Sequence, residues 1–188
     1  MNLVIFGPPG AGKGTQSKFI VQKFNLFQLS TGEFLRKEIS DNTALGKKIS
    51  LVINSGELVS DTIVSDLIEK IISNNKYQNR IVFDGYPRNL NQAENLDNLL
   101  KKYKQKIDIV LKLSVSLQTI KKRISERLNL EKRSDDNEEI AIRRYITYEK
   151  STKPVIEYYK KLNLLKEIDG ERPINQINSD ISDIISSI

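Results

Sequence analysis

Lys13 stands near the end of a glycine-rich run, GPPGAGKGT at residues 7–15. A lysine so placed presents a flexible point charge to the β and γ phosphates of a nucleotide. The glycines meanwhile let the backbone turn its N–H groups inward around the polyphosphate. Asp84 closes the strand-like run Arg80-Ile81-Val82-Phe83. A carboxylate there, beside a phosphate loop, suits Mg²⁺, which keeps several of its waters. Arg88 follows in the segment DGYPR, and Gln92 lies one helical turn further on. The Gln92 amide offers a donor and an acceptor together, as an adenine edge requires. Arg123 and Arg127 are four apart and share one helix face, with Arg133 and Arg144 beyond a short polar stretch. Guanidinium forks fit the equatorial oxygens of a transferring phosphoryl group bidentately. The carboxylates Glu126, Glu131, Asp135 and Asp136 are interspersed among them, so pairing within the chain is the competing role for these arginines.

Elements must hold these groups in place. Leu3-Val4-Ile5-Phe6 reads as a buried parallel strand, and Gln16–Phe24 as the helix after the loop. That helix points its positive end at the same phosphates. Phe27–Leu29 is a short strand, and Ser30-Thr31-Gly32-Glu33 spells a capping box. Helical patterns follow over Glu33–Ser40, over Leu45–Ser55 with Gly56 as the stop, and over Ser60–Asn74. Further strands are expected at Arg80–Phe83, Ile107–Leu113 and Leu164–Ile168. Helices are expected at Asn91–Lys102, Leu117–Leu128, Asn137–Lys150 and Pro154–Leu162, with a last one begun near Pro173. Strands alternating with helices argue for a parallel α/β sheet covered on both faces.

Composition narrows the chemistry. The 188 residues are enough for one well-buried domain. Cysteine and histidine are both absent. This excludes a disulfide framework and a structural zinc site of the usual ligands, and it removes the commonest general base. No apolar run approaches the roughly 20 residues of a membrane span, and the chain enters its first strand without a signal segment. The expectation is a cytoplasmic protein with no membrane partner. The net charge of +6 suits an anionic ligand, although it also fits a lysine-rich solvated surface. Aromatics do not interleave with the basic residues, so no nucleic acid partner is expected.

One departure in the loop is informative. The general phosphate-loop pattern places a hydroxyl straight after the lysine. Here Gly14 follows Lys13, and Thr15 comes one later. GPPGAGKGTQ resembles the loop of the adenylate kinases, within the nucleoside monophosphate kinases. LSTGEFLR at 29–36, GELVSD at 56–61, DGYPRNLNQAE at 84–94, RSDDNEE at 133–139 and DGERPI at 169–174 resemble further motifs of that family, in its order and spacing. The resemblance covers the whole chain.

The resemblance implies a fold of the P-loop NTPase type: a parallel five-stranded sheet with helices on both faces, a small helical monophosphate-binding insert and a short lid. The core would be residues 1–29, 60–126 and 137–188, the insert 30–59 and the lid about 127–136. It implies transfer of the terminal phosphoryl group of ATP to AMP, giving two ADP, by a monomer. Gly10, Ala11, Gly12, Lys13, Gly14 and Thr15 would hold the ATP phosphates, with Arg123 and Arg127 serving ATP and the backbone of Arg172 beside its adenine. Thr31, Arg36, the backbone of Glu57, Leu58 and Val59, then Gly85, Tyr86, Pro87, Arg88 and Gln92, would hold AMP. Arg133 and Arg144 would bridge AMP and the transferring group. Lys13, Arg88, Arg123, Arg127, Arg133 and Arg144 form the implied catalytic set. Asp84 would hold Mg²⁺ through water, since no loop hydroxyl directly follows Lys13. Two departures mark this chain. Only five residues separate Arg127 from Arg133, with no four-cysteine zinc site, and Glu57 stands where relatives are often basic. A UMP/CMP kinase on the same scaffold is the nearest rival. A nucleotide switch is a more distant one, since no N-K-x-D guanine signature is present. Thr31 and Gln92, where pyrimidine-specific relatives typically carry alanine and asparagine, favour AMP.

Overall fold

The structure is a computed structural model and describes residues 1–131 and 138–188. Five parallel strands form its sheet: β1 (Leu3–Phe6), β2 (Phe27–Ser30), β3 (Ile81–Asp84), β4 (Ile109–Ser114) and β5 (Leu165–Asp169). Their order across the sheet is β2-β3-β1-β4-β5. The central position of β1 follows from its sequence. All four of its side chains are buried, so both faces need a cover. Leu3 and Ile5 face one layer with Ile20, Ile177, Ile181 and Ile185. Val4 and Phe6 face the opposite layer with Ile68, Leu96, Val155 and Tyr159. The alternation is the period of two that a strand imposes. Helices α1 (Lys13–Phe24) and α9 (Ile174–Ser186) supply the first layer. Helices α4 (Asp61–Ile72), α5 (Leu90–Lys102) and α8 (Lys153–Lys161) supply the second. The parallel, doubly covered sheet expected from the sequence is therefore present. No described helix is long and apolar enough to cross a membrane.

Between β2 and α4 lies a helical pair, α2 (Thr31–Ser40) and α3 (Ala44–Asn54). Both begin on side-chain caps. The Ser30 hydroxyl accepts from the Glu33 N–H at 3.4 Å, as the capping box predicts, and the Thr43 hydroxyl accepts from the Gly46 N–H at 2.9 Å. The two helices meet at Gly46. A β-carbon built there would lie 2.0 Å from the Glu38 carbonyl oxygen. Gly46→Ala is expected to force the pair apart and destabilise the protein by about 1–3 kcal/mol. Chemical denaturation of the purified variant measures it, and an unchanged midpoint would show that α3 shifts freely.

The remaining helices are α6 (Leu117–Glu131) and α7 (Glu138–Thr147), which pack on each other through Ile120, Ile124 and Ala141. The sequence reading ended α6 at Leu128. The helix runs on through Asn129 to Glu131, because no glycine or proline stops it. The reading also continued the next helix unbroken to Lys150. Instead, Tyr148–Thr152 form a π-turn between α7 and α8. Helix α1 starts three residues earlier than expected, at Lys13, because Gly12 takes a left-handed conformation (φ 93°) and serves as its cap. A β-carbon on Gly12 would meet nothing within 4 Å, so the backbone angle, not space, calls for glycine.

Candidate active site

The carboxyl ends of β1 and β3 open onto a cavity. Ligands of open α/β sheets bind beyond these ends. Lys13 stands at its head, as the first residue of α1. Its Nζ donates to the Gly7 carbonyl at 2.8 Å and the Pro8 carbonyl at 3.0 Å. Burial drives the Lys13 ammonium down to about 8; Asp84 opposes that shift, and Arg88, Arg144 and Arg127 add to it. Four charged groups far apart in sequence thus act on one ammonium. Asp84 itself is buried at the end of β3, with Oδ2 accepting from the Gln28 side chain at 3.0 Å.

The segment after β3 is held from several sides. Gly85 takes φ 78°, and its carbonyl accepts both the Thr31 hydroxyl (2.8 Å) and the Arg88 Nε–H (2.7 Å). The Arg88 N–H donates to Gln92 Oε1 at 2.8 Å, and the Arg88 carbonyl accepts from the Thr152 hydroxyl at 3.0 Å. The main chain of Arg88 is therefore bonded on both sides of its Cα. Its guanidinium is held at Nε by that carbonyl, and the residue lines the cavity that Lys13 heads.

Most of the residues expected to hold AMP share this cavity. Thr31, Arg36, Glu57, Leu58, Val59, Gly85, Pro87, Arg88, Gln92 and Arg144 line it together with Lys13. Tyr86 does not. Its ring is 1% exposed, with the hydroxyl donating to the Gln92 carbonyl at 3.1 Å, so it supports the segment from the core. Nor is the Gln92 amide as open as its sequence position suggested. Oε1 accepts from Arg88 N–H and Nε2 donates to Asp61 Oδ1 at 2.7 Å. One N–H and one lone pair of that amide remain.

Lys13 aside, the residues expected around ATP lie apart from the cavity walls. Gly10, Ala11, Gly12, Gly14 and Thr15 form the loop and first turn beside Lys13, and Thr15 is exposed. No side chain caps α1, so its first amides have no capping side-chain acceptor. Arg123 crosses from α6 to donate to the Gly170 carbonyl at 2.8 Å and the Ala11 carbonyl at 3.4 Å. The sequence offered carboxylates as its partners; backbone carbonyls of the two loops take that place. Arg127 lies near enough to act on Lys13. Arg172 pairs with Asp180 and lies 3.8 Å from Asp169, so its side chain is engaged within the chain. That leaves its backbone for the role the resemblance implies. Arg133, with the rest of residues 132–136 of the expected lid (about 127–136), lies outside the described residues.

The sequence reading missed three residues of this site. Asp61 binds Gln92 from α4. Thr152 binds Arg88 from the π-turn. Tyr148 lines the cavity, its hydroxyl buried without a hydrogen-bond partner among the described residues. Asp61 sits inside the motif GELVSD, which was the available signal. Thr152 and Tyr148 carried none.

The family model for adenylate kinase matches residues 5–164. The chain belongs to the adenylate kinase family. An adenylate kinase of Pelagibacter ubique (strain HTCC1062) is 46% identical over 211 aligned positions, covering 98% of this chain and 99% of the relative. That of Caulobacter sp. (strain K31) is 40% identical over 188 positions, covering both chains fully. That of Prochlorococcus marinus is 42% identical, covering 98% of each. The first alignment is longer than this chain, so that adenylate kinase carries sequence which this one lacks. The Caulobacter adenylate kinase matches it in length.

Proposed function

We propose that this adenylate kinase family member transfers the terminal phosphoryl group of ATP reversibly to AMP, giving two ADP. The observation that carries this reading is the gathering of Lys13, Arg36, Arg88 and Arg144 around one cavity at the strand ends, where Asp84 is buried. AMP occupies the cavity, with Arg36, Arg88 and Arg144 toward its phosphate and Thr31, the Glu57–Val59 backbone and Gln92 toward its base. ATP lies along Gly10–Thr15, flanked by Arg123, Arg127 and the Arg172 backbone. Arg133 joins the cations around the transferring group.

The reacting oxygen belongs to the AMP phosphate. Its last ionisation lies near that of a phosphomonoester, roughly 6, so it is already an anion at neutral pH. An AMP oxygen bonds to the γ phosphorus as the β–γ bridging bond breaks, and the displaced electron pair leaves on ADP. No general base is needed. The protein's work is positioning and charge stabilisation by Lys13 and the arginines. Asp84 fits a Mg²⁺ ion held through water: it is a hard oxygen donor, at a strand end, facing the lysine that would share the same phosphates. When bound, the ion neutralises charge on the ATP phosphates. Residues 30–59 act as a moving segment over the core residues 1–29 and 60–126, which excludes water from the transfer. The proposal extends to a monomer working in the cytoplasm on free nucleotides.

ADP formation from Mg²⁺-ATP with AMP, UMP and CMP in turn tests the reading. AMP is expected to exceed the pyrimidine nucleotides at least about tenfold in kcat/KM. Equal turnover of CMP would transfer the assignment to a UMP/CMP kinase.

A further inference from the structure

Gln92 is gripped at both ends by groups that cannot change their hydrogen-bonding sense. Its Nε2 donates to Asp61 Oδ1 at 2.7 Å, and a carboxylate only accepts. Its Oε1 accepts from the main-chain N–H of Arg88 at 2.8 Å, and that group only donates. Turning the amide over would set oxygen against carboxylate and N–H against N–H. Asp61 is in turn fixed by Asn89, whose Nδ2 lies 3.0 Å and 3.2 Å from its two oxygens. Asn89 caps α5 by accepting the Gln92 N–H at 2.8 Å, so both ends of the Gln92 residue are tied to one local network. Gln92 is 3% exposed and lines the cavity. Its remaining N–H and lone pair therefore meet the cavity in a set order.

We propose that Asp61 is a positioning residue that determines which purine the enzyme accepts, by locking the amide orientation of Gln92. The proposal rests on the reading that Gln92 faces the acceptor base. A 6-amino purine brings a donor to Oε1 and a ring nitrogen acceptor to the free Nε2–H. A 6-oxo purine brings an oxygen to the same Oε1, and acceptor meets acceptor. A freely turning amide would serve either base. Asp61, together with the Arg88 N–H, removes that freedom without touching the nucleotide.

The substitution Asp61→Asn retains size and removes the fixed sense, because an amide offers oxygen on one side and N–H on the other. The kcat/KM ratio of AMP to IMP is expected to fall at least about tenfold, through KM for AMP, with kcat at saturating AMP within a few-fold of the parent. Asp61→Ser, whose hydroxyl can donate or accept, is expected to lower the ratio likewise and stands in if the first variant fails to fold. Asp61→Glu, which retains an acceptor-only group, is expected to restore part of it. Asn89→Ser separates this role from support of the helix end. It retains a capping hydroxyl but not the Asn89–Asp61 contacts, and is expected to leave the ratio within about threefold of the parent. Gln92→Leu distinguishes the two levels of the argument. If it abolishes the preference for AMP over IMP while both Asp61→Asn and Asp61→Ser retain it, Asp61 has no such role and the base-reading assignment stands. If Gln92→Leu retains the preference, both ideas fail together. An Asn89→Ser effect equal to that of Asp61→Asn would reduce Asp61 to a support of α5, and so overturn the proposal.

Discussion

Replacing Lys13 by methionine is expected to lower kcat roughly a hundredfold to a thousandfold and, near pH 7, to raise the melting temperature of the nucleotide-free protein. The first effect follows from geometry. Lys13 is the cation on which Asp84, Arg88, Arg144 and Arg127 converge. Removing one donor aimed at developing charge typically costs about 3–4 kcal/mol of transition-state stabilisation, and each 1.4 kcal/mol is about tenfold. Methionine retains most of the stem, so no large cavity is left behind. The second effect follows from the ammonium's lowered pKa, about 8 against its ordinary 10.5. Below pH 8 the folded and unfolded chains both hold the proton, and the folded state bears the full penalty of a half-buried cation among arginines. Between 8 and 10.5 the unfolded chain binds more protons than the folded one, so the penalty lifts as pH rises. The stability gap between parent and variant should close across that window. Phosphates beside Lys13 restore its proton, so ATP binding above pH 8 should take up protons and weaken with rising pH. Initial rates and thermal melts at several pH values check these statements. A variant retaining kcat within a few-fold of the parent would remove Lys13 from the reaction.

Arg88→Lys is the second large effect, although the charge is retained. The backbone of Arg88 is bonded to Gln92 on one side and to Thr152 on the other, so the exchange alters the side chain alone. Arginine spends its Nε–H on the Gly85 carbonyl and carries four further N–H donors on a planar fork. Lysine has one nitrogen for both tasks and no planar fork. A loss of about a hundredfold in kcat is expected, with KM for AMP changed only a few-fold, because the contact strengthens as charge spreads over the transferring group. Steady-state kinetics with AMP varied decide it. A change confined to KM would make Arg88 a binding residue only.

The parts of this site legible in the sequence are those written in adjacent residues. Leu3–Phe6, the glycine run and Lys13 form one continuous signal, as do Ile81–Asp84 and the turn after them. Apolar runs placed β1 and β3 to within a residue, because both strands are buried at all four positions. The illegible parts are pairings across the fold. Asp61 and Gln92 lie 31 residues apart, and Thr152 and Arg88 lie 64 apart. Nothing local in either partner announces the other. Arg123 shows the same limit from the opposite side: nearby carboxylates suggested ion pairs, yet its partners are the carbonyls of two distant loops. The start of α1 was misplaced because glycines hide helical residues from any reading based on side-chain period.

The π-turn at Tyr148–Thr152 joins α7 and α8 into one run from Glu138 to Lys161. On its far side Val155, Ile156 and Tyr159 are anchored in the core, while Arg144, Thr147, Tyr148 and Thr152 border the cavity. A helix turns about 100° with each residue. A π-turn accommodates one residue more than an α-helical turn. Removing one residue from Tyr148–Thr152 would therefore leave a continuous α-helix with Arg144 still in phase with its anchor, whereas a residue added to the α-helical stretch between Arg144 and the turn would rotate Arg144 by about 100° and carry it off the cavity wall.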